Sequence, residues 1–286
     1  GIHQLLVQTG LVGESLNVGK LVFGLAPKIN AAGRMGDANR TVELLTTSDK
    51  TRAEELASIL VRENKRRQLI QEDIVNDAIR LVHSQVDLEN NKVVIIGSKG
   101  WHPGVVGIVA SRIKDEFSRP AIVIAFDKEG IGKGSARSIP HLDLYEALSY
   151  AAKFLEGYGG HPMAAGLTVR EDKFENFKSL FLRNANKILT NDDLIPAISI
   201  DGEMALTDIN SRFMRFLEKL GPFGPGNMRP KFVSRNLSIS GHPRLMGNGE
   251  HIRFIVGQNG RNYPAVGFKL SSHYEDLIRG VPVDIA

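Results

Sequence analysis

Residues 93–126 read VVIIGSKGWHPGVVGIVASRIKDEFSRPAIVIAF, and this stretch decides the fold class. Val93–Gly97 and Ala121–Phe126 are short unbroken apolar runs, as in strands covered on both faces. Between them, Gly104–Phe117 has the spacing of a helix. Gly104, Gly107 and Ala110 keep one of its sides thin enough to lie close on a sheet. Strand, helix, strand is the building unit of α/β architecture. Moving outward, Ile131–Ser138 reads as a further strand with its loop, Leu142–Glu156 as a helix and Phe174–Leu189 as another. The stretch 89–192 is therefore expected to form an α/β domain, a mixed sheet with flanking helices.

Upstream, residues 48–88 carry a long helical pattern in which Ala53, Leu56, Leu60, Ile70, Ile74, Ala78 and Leu81 recur at three and four. Thr51 and Glu54 have capping-box spacing at its start. At 1.5 Å per residue the helix would exceed ~50 Å, so it is expected to connect domains. Arg62, Lys65, Arg66 and Arg67 in its polar middle read as a solvated face. Residues 1–47 hold short apolar pieces and the segment LAPKINAAGR at Leu25–Arg34.

Downstream, a short helix ends near Leu220 and the tract GPFGPG at Gly221–Gly226 breaks the chain. Lys231–Ser240, His251–Val256 and Tyr263–Phe268 then read as strands separated by Gly and Asn turns. A small all-β barrel or sandwich over 193–286 is expected, unfinished at its end, with a last strand at Val281–Ala286 that lacks a partner. With Gly1 rather than methionine at the start, these ends read as those of a piece of a longer polypeptide.

The 286 residues carry a net charge of +4, which modestly favours an anionic partner. The absence of cysteine excludes disulfide and thiolate chemistry and fits a reducing, cytoplasmic setting. No run approaches the ~18 apolar residues of a membrane span.

Ser135 and Arg137 stand two apart, so in an extended chain a hydroxyl and a guanidinium fork share one side, as a terminal phosphate requires. A tight turn whose arginine pairs with a carboxylate satisfies the same pattern. Gly159-Gly160-His161 follows the helix expected at 142–156. A C-cap accounts for one glycine, but not for two with His161 and then Ala164-Ala165-Gly166. His161 suits a donor to a phosphate oxygen, and equally a cap on local carbonyls. Asn30 and Arg34 would share a helix face. Trp101 reads as a core residue rather than a base-stacking partner of His102, and Asp143 as a residue favouring a helix N-terminus. No Asp-x-Asp pair, Asp-His-His run, HExxH motif or phosphate-binding P-loop occurs. The chain offers groups that hold a phosphoester without groups that would cleave it.

LAPKINAAGR (Leu25–Arg34), GWHPGVVGIVASR (Gly100–Arg112), KGSARS (Lys133–Ser138) and GGHPMAAG (Gly159–Gly166) follow one another in the order found in the RecJ family of the DHH phosphoesterase superfamily. The chain resembles the C-terminal part of that family over nearly its whole length. The tract at Gly221–Gly226 with the strands after it is similar to the family's oligonucleotide-binding (OB) domain. Ala136 stands where the family often has glycine, and Lys28 where arginine is common. The resemblance implies the C-terminal portion of a metal-dependent 5′-to-3′ exonuclease acting on single-stranded DNA in repair and recombination. Mn or Mg ions would be held by an N-terminal DHH domain, and none by these residues. Arg34, Ser135, Arg137, Gly159, Gly160 and His161 would grip substrate phosphate. In the OB-like region Arg244, His251, Arg253, Phe254 and Tyr263 would supply stacking and backbone contacts. Single-stranded DNA is the implied partner, with single-strand-binding protein and a helicase, for a monomer that contacts no membrane. An oligonucleotide or cyclic-dinucleotide phosphodiesterase of the same superfamily, and a non-catalytic nucleic-acid-binding module, are the alternatives.

Overall fold

Apolar runs that alternate with helices condense here into a sheet whose second strand has no exposed residue. The structure, a computed structural model, describes residues 1–14, 16–224 and 226–286. They form two compact units, Gly1–Pro196 and Ala197–Ala286.

The first unit contains a five-stranded sheet of β1 (Val94–Lys99), β2 (Ala121–Phe126), β3 (Ile131–Arg137), β4 (Leu155–His161) and β5 (Ala164–Arg170), in the order β1-β2-β3-β5-β4. β1 and β2 are parallel and the remaining pairs antiparallel. Helices α1 (Ile2–Gln8), α2 (Ala26–Met35), α3 (Asn39–Thr46) and α4 (Lys50–Gln85) precede the sheet. Helices α5 (Val106–Phe117), α6 (Leu144–Tyr150) and α7 (Glu171–Ile188) are interleaved with its strands.

Both faces of β2 are packed. On one, Val94, Ile96, Ala121, Val123 and Ala125 meet Val106, Val109, Ala110 and Ile113 of α5 and Ile74, Ala78 and Val82 of α4. On the other, Ile122, Ile124, Leu167 and Val169 meet Leu144 and Leu148 of α6 and Phe177 and Phe181 of α7. The N-terminal half of α4 serves a different core, in which Leu56, Ala57 and Leu60 bury Leu5, Leu25, Ala32 and Leu44. One helix thus belongs to two cores, and its polar middle lies at the changeover between them.

The N-terminus of α4 is capped by Asp49, whose carboxylate accepts from the backbone N–H of Thr51 and Arg52. The Thr51–Glu54 box expected from spacing is not the cap, because the helix begins two residues earlier and Thr51 is already inside it, donating its N–H to Asp49. Asp143 caps α6 in the same manner.

The larger correction concerns 142–161, where the sequence pattern predicts a single helix over 142–156. Helix α6 ends at Tyr150, and a short 3-10 turn leads into strand β4. Gly159-Gly160-His161 therefore lies in a strand that turns at Pro162-Met163 into β5, and not beyond a helix end. Glycine at 157 and 159 removes side chains from alternate positions, which hides the two-residue period by which a strand is recognised.

In the second unit, β7 (Phe232–Met246), β8 (His251–Gln258) and β9 (Arg261–Gly267) run antiparallel in sequence order. β10 (Val283–Ile285) and β6 (Gly202–Glu203) both lie on β7. The last strand is thus paired, with Val283 opposite Leu237 and Ile285 opposite Ser234, correcting the expectation that it stands alone. The sheet is OB-like but stays open and does not close into a barrel. Leu206, Leu237 and Val256 form its small core. Helix α8 (Ser211–Lys219) precedes it and α9 (Tyr274–Ile278) follows β9. Pro225 of the expected Gly221–Gly226 break lies outside the described residues. Among the described residues no helix is long and apolar enough to cross a membrane.

Two predictions test this packing. Phe181 is fully buried and packs on Phe177 with ring centroids 5.7 Å apart, so Phe181→Ala should destabilise the protein by about 3–5 kcal/mol. A loss below about 0.5 kcal/mol in urea unfolding, typical of a surface change, would contradict this core. Gly160 has φ +149°, and a Cβ there would meet the Ala164 carbonyl and lie 2.5 Å from the Ala165 Cα, whereas one at Gly159 would meet nothing within 4 Å. Gly160→Ala should therefore cost about 1–3 kcal/mol. Gly159→Ala should stay within about 0.5 kcal/mol of the parent. Equal melting of the two variants would refute the contrast.

Candidate phosphate-binding surface

Strand pairing brings the separate motifs into two rows. Ser135 on β3 lies opposite Gly166 on β5, which lies opposite Gly159 on β4; Arg137, Ala164 and His161 form the next row in the same way. Directly paired residues project from the same side of a sheet, and so do residues two apart along a strand. Ser135, Arg137, Gly159 and His161 consequently share one face. With strands ~4.8 Å apart, Arg137 and His161 stand roughly 10 Å from each other across β5. Between them the sheet carries only Gly166, Ala164 and Gly159, a floor without bulk. Gly159, Gly166 and His161 are exposed.

Gly160 does not share this face. It pairs with Ala165 and projects toward the side that packs on α6 and α7. Its role in the structure is to let β4 follow β5 closely. Gly134 is likewise a packing glycine, since a Cβ there would lie 2.8 Å from Ile124 and 2.9 Å from Leu167.

Helix α5 covers the β1–β3 part of the same face and brings its first turn against the motif. A Cβ at Gly107 would lie 3.1 Å from an Arg137 Nη and 3.2 Å from the Ser135 hydroxyl. A side chain there would push the Arg137 and Ser135 side chains aside, so glycine favours the close approach of the helix. The N-terminus of α5 has no capping side chain. Its first-turn N–H groups and the positive end of its dipole therefore add to the potential beside Arg137. Arg137 donates to the Ser135 hydroxyl at 2.9 Å and to the Ala136 carbonyl at 2.7 Å. It has no carboxylate partner among the described residues, so the turn-and-ion-pair alternative is not what forms. Burial, together with the nearby charge of Arg34, holds its guanidinium below the usual arginine value. Removal from water is the larger cause and the like charge of Arg34 the smaller.

Arg34, exposed at the end of α2, donates to the Gly104 carbonyl at 3.3 Å, which ties α2 to the loop feeding α5. Gly104 itself abuts the Arg34 carbonyl and leaves no room for a side chain. Asn30 is also exposed on α2. The solvated face expected on α4 holds for Arg62, Lys65 and Arg66, which are exposed, but Arg67 turns inward. Its guanidinium donates to Asn64 Oδ1 at 3.1 Å and Gln71 Oε1 at 2.9 Å, and its buried Nε has no partner. Burial and the charge of Arg34 lower its pKa as well.

Arg34, Arg67 and Arg137 therefore share one electrostatic neighbourhood, and among the described residues their acceptors are all neutral. Three guanidiniums without a compensating carboxylate give this surface a positive potential. Arg67 carries no distinguishing signal in sequence, except the buried-position periodicity that places Asn64 inward.

Trp101 is buried, and its ring N–H donates to Asp77 on α4 at 2.9 Å. His102 accepts from the Gly104 N–H through Nδ1 at 3.0 Å. Trp101 is therefore a core residue, as expected, and not a base-stacking one. In the second unit the expected contacts divide by face. Arg244 and Arg253 are exposed and paired across β7 and β8, whereas Phe254 and Tyr263 pack on the small core. His251 lies edge-on to exposed Phe268 at 5.5 Å. A divalent ion does not fit the first unit's surface, whose side chains are cations and neutral donors. No group of three or more His, Asp and Glu side chains among the described residues comes together to hold one.

Comparison with known proteins agrees with this arrangement of parts. Residues 90–187 match the DHHA1 domain and residues 200–286 the RecJ OB domain. The single-stranded-DNA-specific exonuclease RecJ of Bacillus subtilis is 36% identical over all of this chain, which covers 36% of that protein. Its Haemophilus influenzae counterpart is 33% identical over 92% of this chain and 47% of its own length. The crystal structure of Thermus thermophilus RecJ in complex with Mg2+ superposes with a TM-score of 0.76 at 28% identity, covering 93% of this chain and 45% of that one. A manganese-bound exonuclease RecJ gives 0.58 at 35% identity over 68% of this chain and 46% of its own. The chain thus spans between about a third and a half of the proteins it matches. It belongs to the RecJ family, of which it carries the DHHA1 and RecJ OB domains.

Proposed function

We propose that this chain is the substrate-gripping portion of an exonuclease acting on single-stranded DNA from its 5′ end, in DNA repair and recombination. One observation carries the reading: Ser135, Arg137 and His161, from motifs far apart in sequence, share a sheet face whose floor is Gly and Ala and whose rim is cationic. A phosphodiester backbone can approach such a floor closely, because no side chain stands in its way. Arg137 and the Ser135 hydroxyl then serve as fork and donor to a terminal phosphate. Arg34 supplies the flanking charge and exposed His161 a donor across the floor. Gly159 contributes by having no Cβ, and Gly160 by holding β4 in place.

The relatives' metal ions supply water activation and charge neutralisation at a phosphodiester when bound. The described residues of this chain do not form that site, which in this reading belongs to another domain of the full protein. Residues 1–47 then end the DHH-side region and contribute Arg34, 48–88 form the connecting helix, 89–192 present the substrate surface as the DHH-associated domain, and 193–286 make a second contact with nucleic acid. Family resemblance supports a monomer that works with single-strand-binding protein and a helicase.

Arg137→Ala should weaken binding of a 5′-phosphorylated single strand by about 1.5–3 kcal/mol, the worth of a hydrogen bond to a charged group. Fluorescence anisotropy measures this, and parental affinity in the variant would remove Arg137 from the site. Binding should also weaken as salt rises, because phosphate contacts release counterions. Added Mn2+ or Mg2+ should leave single-stranded DNA uncut by the homogeneous chain. Sustained nucleotide release, abolished by a chelator, would refute the assignment of cleavage to another domain.

A further inference from the structure

Helix α8 presents a face that folding does not explain. Asn210 caps it, accepting from the N–H groups of Arg212 and Phe213 at 3.0 Å. Phe213 packs edge-on against Phe232 of β7 at 5.5 Å, which fixes the side turned to the sheet. Arg212, Arg215, Phe216 and Lys219 follow one another at three and four, so they form a single stripe on the other side. Phe216 is 57% exposed. Arg212 and Lys219 lie 5.8 and 5.9 Å from its ring centroid. The four side chains line an open hollow of about 380 Å³.

Among the described residues none of these cations is ion-paired, and Glu218, the helix's one carboxylate, is bound to none of them. Like charges three and four apart disfavour a helix, and an exposed phenyl ring adds nothing to a core. What the stripe returns to the fold is confined to the two exposed cation–π contacts on Phe216. An aromatic face between unpaired cations is the composition that takes a nucleobase on the ring and phosphates on the charges.

We infer that the Arg212–Arg215–Phe216–Lys219 stripe of α8 is a stacking site for single-stranded nucleic acid, separate from the phosphate grip around Arg137. Its position off the strands of the open sheet makes it an additional contact, and it rests on the proposed nucleic-acid substrate. One base stacks on Phe216. The cations run about 10 Å along the helix and follow the adjoining backbone. A flat ring flanked by three cations on one helix side suits a base with its phosphates better than a peptide side chain.

The test uses the full chain and a dT oligonucleotide of about 16 nucleotides, the upper site size of one OB fold. Phe216→Trp places a reporter on the ring position. The chain's one native tryptophan, Trp101, is buried on Asp77 and gives the baseline in the parent. The oligonucleotide should quench the new tryptophan. Phe216→Ala should weaken binding at least about fivefold. Gln at 212, 215 and 219 together should weaken it about tenfold and flatten the salt dependence by about 0.7 for each phosphate no longer neutralised. Oligonucleotide binding that leaves the introduced tryptophan unquenched and these variants at parental affinity would overturn the inference while leaving the Arg137 site standing. Quenching by a polyglutamate peptide but not by the oligonucleotide would give the face to an acidic protein and overturn it too. Absence of any single-strand binding would overturn both readings.

Discussion

The unequal covering of one sheet governs the first unit. β2 is buried along its whole length, so helices must lie on both of its faces. On one face α6 and α7 supply that cover as far as β5. On the other, α4 and α5 cover β1 to β3, and the residues of β5 and β4 beyond them are exposed or half-buried. A sheet half-covered in this way would ordinarily leave apolar side chains in water. Beside Ser135 and Arg137 the uncovered positions are Gly159, Gly166, Ala164 and His161, so exposure costs little and leaves a smooth floor there. The edge of α5 becomes the wall of that floor, and Gly107 determines how close the wall stands to Ser135 and Arg137.

Electrostatics then separates a packing solution from a binding surface. Most charged side chains with close partners pair on exposed surfaces, as Arg52 does with Glu43 and Arg235 with Glu203 and Asp284. Such pairs add little stability. Arg34, Arg67 and Arg137 differ because they meet only neutral acceptors, and burial withdraws Arg67 and Arg137 partly from water. Arg67 is held by two amide oxygens of its own helix, which aim its guanidinium without neutralising it. Desolvation of unpaired cations is unfavourable, and under the proposed function a phosphate would relieve it. The same imbalance recurs on α8 in a more exposed setting, where an aromatic ring takes the place of the small-residue floor.

The DHHA1 core is legible in sequence because β1, α5 and β2 are strongly patterned and free of interruption. β4 is not, because glycine erases the alternation that identifies strands, and a Gly-Gly pair after a helical run resembles a cap. The two glycines of that pair have opposite reasons for being glycine. Gly160 is required by its own backbone and by Ala165, whereas Gly159 touches nothing and leaves room for something else. Sequence cannot separate them, since both are the same residue in the same strand.

The amino-acid order by itself determined most of the elements, the motifs and the types of group available to hold a phosphate, because periodicity and residue chemistry are local properties. Tertiary structure alone decided that Ser135 and Arg137 face His161 across a bare floor, that Arg67 turns inward while Arg62, Lys65 and Arg66 do not, and that the last strand has a partner. Each of these depends on pairing register or on which helix lies over which strand. Those are set by contacts between residues distant along the chain, and no local window contains them.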